Sequence, residues 1–219
     1  MAAMVEMKIL GSREEWIKER ALRIGGSDAS AVLGLNPYRT NLELWQIKTG
    51  QLIPEDISDK PYVRFGMEAE RYIRELFKLE HPQYKVFYEE NNLWVNDQYP
   101  FGHYSADGWL IDKDGRLGVW ECKTTNILQS MQKEKWKERL PDNYYIQLLH
   151  GLLIMEADFA VLKARLKYEF GGEIYVQVKH YHLERAEVEE DIKILEEAER
   201  VFFRQVLEKK RPDRILPPL

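Results

Sequence analysis

The hydrophobic and polar positions of this chain predict helices near both ends and strands in between. In the first half, helical periodicity or N-capping signals mark four segments: Ser12–Arg23, Asp28–Leu33, Thr40–Lys48 and Tyr62–Leu79. In the second half, the same signals predict three more: Asn126–Leu140, Asn143–Met155 and a closing amphipathic helix over Glu184–Lys210. The helices account for about half of the chain, so the core needs further elements between them.

Short apolar or alternating runs between the helices predict strands. They cover Tyr84–Tyr88, Asn92–Val95, the two arms of a hairpin over His103–Lys123, Asp158–Leu166 and Glu173–Tyr181. Strands interrupted by helices favour a layered arrangement in which helices cover a sheet. We therefore predict a mixed α/β (α+β) fold, with a central mixed β-sheet flanked by helices.

The sequence GGSDASAVLGLNPYRT, over Gly25–Thr40, combines a pair of glycines with a helix start. Ser27 is the predicted N-cap and Gly34 the predicted end of that helix. A helix start preceded by glycines offers free backbone N–H groups to an anion such as phosphate, and Arg20 lies just upstream. An ordinary capped helix explains the same residues, so this segment leaves phosphate binding open.

Length and composition limit the class of protein. A chain of 219 residues can bury one substantial core, so we expect a single domain over 1–219. No run of 18 apolar residues predicts a membrane span, and the first ten residues lack the pattern of a secretory signal. Cys122 is the only cysteine and cannot form an internal disulfide, so we expect a cytoplasmic protein.

The net charge of −5 is unusual for a protein that binds nucleic acid. The excess is local, however, because residues 184–200 hold eight acidic and three basic side chains, and the remainder is neutral. A basic stretch lies in one predicted helix: Lys133, Lys135, Lys137 and Arg139. That stretch either follows DNA phosphates or forms a solvated helix face.

The hairpin carries the strongest chemical signal of the sequence. Glu121 and Lys123 are two residues apart in a strand and therefore project from the same face, which is otherwise apolar. A three-residue loop over Lys113–Gly115, with Gly115 in the left-handed conformation, places Asp107 opposite Glu121. Two carboxylates then meet at about 5 Å between β-carbons.

Like charges at that distance are costly unless a cation lies between them. Hard oxygen ligands suit Mg²⁺ or Mn²⁺, and Lys123 beside the metal could orient or deprotonate a water, or stabilise a phosphate in its transition state. A surface hairpin with an ordinary Glu–Lys pair is the alternative interpretation. The spacing of an acid followed by E-x-K in a strand favours the catalytic one.

Asp107 and the run Glu121–Lys123 resemble the acid and (D/E)-x-K motif of restriction-endonuclease-like nucleases, with Ala106 where a proline is usual. Other blocks, in the same order, resemble the phage-type recombination exonucleases of the YqaJ and lambda-exonuclease family. They are Trp16, Arg20 and Ser27, then Gly25–Thr40, Leu44–Gly50, Phe65–Glu70, and Tyr144–Gln147. The resemblance covers about Trp16 to Gln147.

The resemblance implies a restriction-endonuclease-like core and a role for each matched residue. The implied ligands of two Mg²⁺ ions, or of Mn²⁺, are Asp107, Glu121, the Cys122 carbonyl and Glu70. The implied catalytic residues are Asp107, Glu121, Lys123 and Gln147. The residues implied to bind DNA or its 5′-phosphate are Arg20, Ser27 and Tyr144. Within the single nuclease domain, residues 1–60 are implied to bind the 5′-phosphate, residues 61–181 to form the catalytic core, and residues 184–210 to close it.

The implied activity is 5′→3′ degradation of one strand of linear double-stranded DNA. It leaves a 3′ overhang for a single-strand annealing protein, in a phage or prophage recombination system of the bacterial cytoplasm, and the implied assembly is a homotrimeric ring. A structure-specific or nicking endonuclease and a non-catalytic DNA-end-binding protein are the alternatives. His103, four residues before Asp107, and Glu68, near Glu70, remain open as further metal ligands.

Overall fold

The computed structural model describes residues 4–127, 134, 136, 137 and 139–216. The helices are α1 (Arg13–Ala21), α2 (Gly26–Val32), α3 (Asn41–Lys48), α4 (Pro61–Glu80), α5 (Asp142–Met155) and α6 (Glu189–Leu207), with a 3₁₀ turn at Arg185–Glu187. The strands are β1 (Val5–Ile9), β2 (Ile24–Gly25), β3 (Lys85–Phe87), β4 (Asn92–Asn96), β5 (Gly102–His103), β6 (Gly108–Ile111), β7 (Leu117–Ile127), β8 (Phe159–Phe170) and β9 (Glu173–Glu184).

The central sheet has five strands in the order β3-β6-β7-β8-β9. Strands β7 and β8 are parallel and the other neighbours are antiparallel, so the sheet is mixed. Two small pairs lie outside it: β1 with β4, antiparallel, and β2 with β5, parallel. The predicted fold, a mixed sheet flanked by helices, is confirmed.

Helices cover both faces of the sheet. Helix α4 packs Ile73 and Phe77 on one face, against a cluster that includes Trp120 and Cys122. Helix α5 covers the other face and packs against α2 and α6 in the larger core cluster, which includes Val119. Strand β7 therefore alternates between two cores, and its odd-numbered residues face α5.

Most predicted helices and strands agree with the structure, with small shifts at their ends. The predicted N-cap Ser27 is wrong: α2 begins at Gly26, with Gly25 as its N-cap. The reason is that the Asp28 carboxylate reaches back to accept a hydrogen bond from the backbone N–H of Gly25 at 3.3 Å. The end of that helix at Gly34, which has φ of +71°, is confirmed.

The helix predicted over Asn126–Leu140 is wrong at its start. Residues Asn126 and Ile127 belong to β7, because β8 pairs with this strand as far as Ile127. Most of the remaining segment, including Lys133 and Lys135 of the predicted basic face, lies outside the described residues. Lys137 and Arg139 are described and exposed.

In the described part of the chain, no helix is both long and apolar enough to span a membrane.

Candidate active site

The β6–β7 hairpin brings the two predicted carboxylates together. Its register pairs Gly108 with Trp120, so the next position along the ladder places Asp107 opposite Glu121. Gly115 in the connecting turn has φ of +81°, a conformation that side chains other than glycine rarely adopt. The predicted register, with its left-handed glycine, is therefore confirmed.

Glu121 is the centre of the site, with a side chain almost fully buried. The Tyr104 hydroxyl donates to its Oε2 at 2.5 Å. The Lys123 ammonium donates to its Oε1 at 2.5 Å, and the Gln147 amide from α5 donates to the same oxygen at 2.7 Å. The structure thus places three of the predicted catalytic residues, Glu121, Lys123 and Gln147, in direct contact.

Asp107 is held beside the same strand by a backbone contact. The N–H of Cys122 donates to Asp107 Oδ2 at 2.9 Å. Because the N–H and C=O of one residue in an extended strand point to the same side, the Cys122 carbonyl also lies on the side of Asp107. Burial, and then the negative charges of Glu121 and Glu70, raise the pKa of Asp107 well above its usual range.

Glu70 reaches the site from α4. Its Oε1 accepts from the Arg74 guanidinium at 2.9 Å, and the same guanidinium nitrogen donates to the backbone carbonyl of Asp107 at 2.7 Å. Burial, together with the charge of Glu121, raises the pKa of Glu70 despite the attraction of Arg74. Glu68, by contrast, is exposed to solvent.

Lys123 is held in its charged form. Burial would lower the pKa of its ammonium, but the charges of Glu121 and Asp107 and the hydrogen bond to Glu121 raise it overall. The Tyr144 ring lies alongside, with its centroid 5.5 Å from Lys123 Nζ. In this arrangement the Lys123 ammonium donates a hydrogen bond to the Glu121 carboxylate.

Arg20 lies at the end of α1, close enough for its charge to interact with Asp28, Asp107 and Glu121. Its guanidinium stacks on the Trp16 ring at 3.9 Å from the centroid. Burial, and then the charge of Arg13, lower the pKa of Arg20, whereas the charges of Asp28, Asp107 and Glu121 act in the opposite direction. Ser27 is exposed in the first turn of α2.

His103 lies in β5, buried against Gly25, where a β-carbon would approach its ring Cε1 to 2.9 Å. Neither ring nitrogen has a hydrogen-bond partner among the described residues. Burial, and then the positive charges of Arg20 and its neighbours, lower the pKa of His103 well below its usual range. Its surroundings are cationic, which does not support the open possibility of a metal ligand.

Three residues of the site were not identified from the sequence. Tyr104 donates to Glu121, and Arg74 bridges Glu70 and Asp107. The buried Asn92 side chain donates to the carbonyl of Ala106 and accepts from its N–H, both at 2.9 Å, which fixes the backbone just before Asp107. Of these three residues, only Arg74 could have been found from the sequence, because it lies four residues after Glu70 on a predicted helix and such a pair forms an ion pair.

The donors of this site fit a divalent cation in their chemistry. Asp107, Glu121, Glu70 and the Cys122 carbonyl are hard oxygen ligands, the type that Mg²⁺ and Mn²⁺ prefer. The raised pKa of Asp107 reflects its burial and then the nearby negative charges of Glu121 and Glu70. As the side chains stand, no three His, Cys, Asp or Glu residues in the described part of the chain are grouped closely enough to hold a metal ion.

Comparison with known proteins identifies relatives and structural neighbours. Uncharacterized protein YqaJ of Bacillus subtilis (strain 168) is 33% identical over 165 residues, which are 75% of this chain and 49% of that protein. The chain thus spans about half the length of this relative. Two solved structures are similar in fold, an alkaline exonuclease (LHK-Exo) from Laribacter hongkongensis and a phage-related exonuclease from Haemophilus somnus 129PT.

For LHK-Exo the TM-score is 0.61 at 16% identity, over 90% of this chain and 96% of that one. For the Haemophilus somnus protein the TM-score is 0.52 at 12% identity, and the match covers 86% of this chain and 96% of that one. These similarities show a shared fold.

The model of the YqaJ-like viral recombinase domain matches residues 15–158, which include Asp107, Glu121 and Lys123. Because this match covers more than half of the chain, the protein belongs to the YqaJ-like viral recombinase domain family.

Proposed function

We propose that this protein is a metal-dependent deoxyribonuclease that degrades one strand of linear double-stranded DNA from its 5′ end. The observation that carries the proposal is the buried cluster in which Asp107 lies opposite Glu121 and Lys123 contacts Glu121. Family membership and the shared fold with two exonucleases support the same class of activity. The products would be 5′-mononucleotides and a duplex with a 3′ overhang.

The residues of the site have distinct roles in this proposal. Asp107, Glu121, Glu70 and the Cys122 carbonyl would hold two cations. These would be Mg²⁺, or Mn²⁺ in its place. When bound, the cations would supply Lewis-acid stabilisation of the attacking and leaving oxygens of the phosphodiester. Lys123, kept as an ammonium, would orient the attacking water or stabilise charge on the phosphate.

Gln147 and Tyr144 complete the site from α5. Gln147 holds one oxygen of Glu121 at 2.7 Å, which fixes the orientation of that carboxylate. Tyr144 lies against Lys123 and would contact the DNA strand near the scissile phosphate. Arg20 and Ser27 would bind the terminal 5′-phosphate, since the guanidinium of Arg20 lies within electrostatic reach of Asp107 and Glu121.

The wider context is part of the same proposal. A protein of this kind would form a homotrimeric ring around duplex DNA and pass its 3′ overhang to a single-strand annealing protein. It would act in the cytoplasm of a bacterium that carries the phage or prophage. The division into residues 1–60, 61–181 and 184–210 stays a prediction.

The test uses a linear duplex labelled on one strand, with or without a 5′-phosphate, incubated in Mg²⁺ or in EDTA. Covalently closed circular duplex is incubated in parallel. We expect stepwise loss of nucleotides from the phosphorylated 5′ end in Mg²⁺ only, with the circle intact. A cut circle would indicate the endonuclease instead, and DNA binding without metal-dependent cleavage would indicate the end-binding protein.

Replacing Arg20 by glutamine or Ser27 by alanine should remove the preference for phosphorylated ends. A hydrogen bond to a charged group contributes about 1.5–3 kcal/mol, so the ratio of rates on phosphorylated and unphosphorylated ends should fall about 10- to 100-fold. Arg13→Gln is the matched control, because this exposed arginine lies on the same helix and also faces the Trp16 ring, at 5.7 Å. An unchanged rate ratio in Arg20→Gln would contradict the assignment.

A further inference from the structure

Tyr104 contacts the oxygen of Glu121 that Lys123 and Gln147 leave free. Its hydroxyl donates to Oε2 at 2.5 Å, whereas the other two side chains donate to Oε1. Tyr104 is 1% exposed as a residue, and Glu121 is equally buried. Among the described residues, Tyr104 is the donor to the second oxygen, Oε2, of this carboxylate.

The ring of Tyr104 is fixed by backbone on two sides. A β-carbon at Gly26, in α2, would lie 2.8 Å from ring atom Cε2, and one at Gly151, in α5, would lie 2.9 Å from Cζ. Real β-carbons do not approach other atoms so closely, so both positions need glycine while the ring stays in place. The hydroxyl therefore has a more restricted position than the Lys123 ammonium, which ends a flexible stem.

We propose that Tyr104 is a positioning residue whose hydroxyl holds the Glu121 carboxylate in the orientation that binds a divalent cation. A carboxylate oxygen has two lone pairs, and Tyr104 uses one of those on Oε2. A carboxylate already held by hydrogen bonds loses less side-chain entropy when it coordinates a cation. This inference rests on the proposed function, because it assigns Glu121 as a ligand.

Tyr104→Phe tests the hydroxyl while the ring stays between the two glycines. Mn²⁺ is titrated into the full chain without DNA, and free Mn²⁺ is followed by electron paramagnetic resonance. We expect the dissociation constant to rise about 10- to 100-fold, the range found for partners of metal ligands. The Mg²⁺ concentration for half-maximal cleavage should rise in parallel, while KM for DNA at saturating Mg²⁺ stays the same.

Tyr145→Phe is the matched control. The Tyr145 hydroxyl also donates to a carboxylate at 2.5 Å, but its partner is Asp191 on α6, outside the site. The dissociation constant for Mn²⁺ should not change in this variant. If both variants lost Mn²⁺ affinity equally, the cause would be a general loosening of the fold on loss of a tyrosine hydroxyl. That result would overturn the proposal.

Two further outcomes separate this inference from the proposed function. If Tyr104→Phe bound Mn²⁺ as tightly as the wild type, even with a lower unfolding temperature, Tyr104 would have only a structural role and the inference would be overturned. A wild-type chain that binds no Mn²⁺ would instead overturn the metal-dependent nuclease itself. If Tyr104→Phe does not fold, Gly151→Ala displaces the ring with the hydroxyl present, and unchanged Mn²⁺ affinity there would equally overturn the inference.

Discussion

Asp107→Asn is expected to lower the rate of DNA cleavage at least about a thousandfold and to make the metal-free protein more stable. Loss of a metal ligand removes several kcal/mol of transition-state stabilisation, and each 1.36 kcal/mol is a factor of ten in rate. The stability should rise because burial and the charges of Glu121 and Glu70 already disfavour an ionised Asp107. Asparagine keeps an oxygen for the Cys122 N–H.

The measurements are single-turnover cleavage in Mg²⁺ and thermal unfolding in EDTA. For a chain of this size each 1 kcal/mol shifts the unfolding midpoint by about 2–4 °C. Addition of Mg²⁺ should then stabilise the wild type and leave Asp107→Asn unchanged, since a ligand stabilises only a protein that binds it. Full cleavage activity in Asp107→Asn would overturn the site.

Asp112→Asn is the matched control, from the other end of the same hairpin strand. Burial would raise the pKa of Asp112, but hydrogen bonds from the backbone N–H groups of Arg116 and Asp114 and from the Arg116 guanidinium lower it overall. This carboxylate is thus stabilised in its charged form. The control should keep its activity and lose stability, opposite in both respects to Asp107→Asn.

The parts of the site that follow from local rules could be predicted from the sequence. The alternation of strand residues places Glu121 and Lys123 on one face, and the turn with Gly115 fixes the pairing of Asp107 with Glu121. Both depend on residues fewer than twenty positions apart. The helix position of Gln147, in contact with Glu121, was given by resemblance to a family rather than by such a rule.

The parts that depend on distant residues could not be predicted. Strand β7 continues to Ile127 because β8 pairs with it, and nothing within the segment itself distinguishes this from a helix start. The role of Tyr104 depends on Gly26 and Gly151, each far away in the sequence, which leave room for its ring. A tyrosine in a chain with twelve of them carries no such information by itself.

Glu199→Ala is expected to produce a large loss of stability without touching the site. Glu199 Oε1 lies 2.7 Å from His150 Nδ1, and both side chains are fully buried between α5 and α6. His150 Nε2 lies 2.9 Å from the His103 carbonyl, so both ring nitrogens face acceptors, as in a charged imidazolium. Removal of one partner from a buried pair costs about 3–5 kcal/mol, and the unfolding midpoint should fall by about 10 °C.

Glu190→Ala is the control on the same helix, because the exposed pair of Glu190 with Lys193 should contribute nothing measurable. Glu199→Gln then isolates the charge. Burial would lower the pKa of His150, but Glu199 and the His103 carbonyl raise it overall. The resulting stabilisation is fully present below about pH 6.5, the ordinary value for histidine, and is lost as pH rises through the higher folded value.

The difference in unfolding free energy between the wild type and Glu199→Gln should therefore shrink as pH rises above 6.5. This difference can fall by as much as about 1.4 kcal/mol per pH unit, because over this pH range the folded wild type holds one proton more than the unfolded chain. Groups elsewhere titrate equally in both proteins and cancel in the difference. Parallel stability profiles from pH 6 to 9 would mean that His150 is neutral and that hydrogen bonding alone joins α5 to α6.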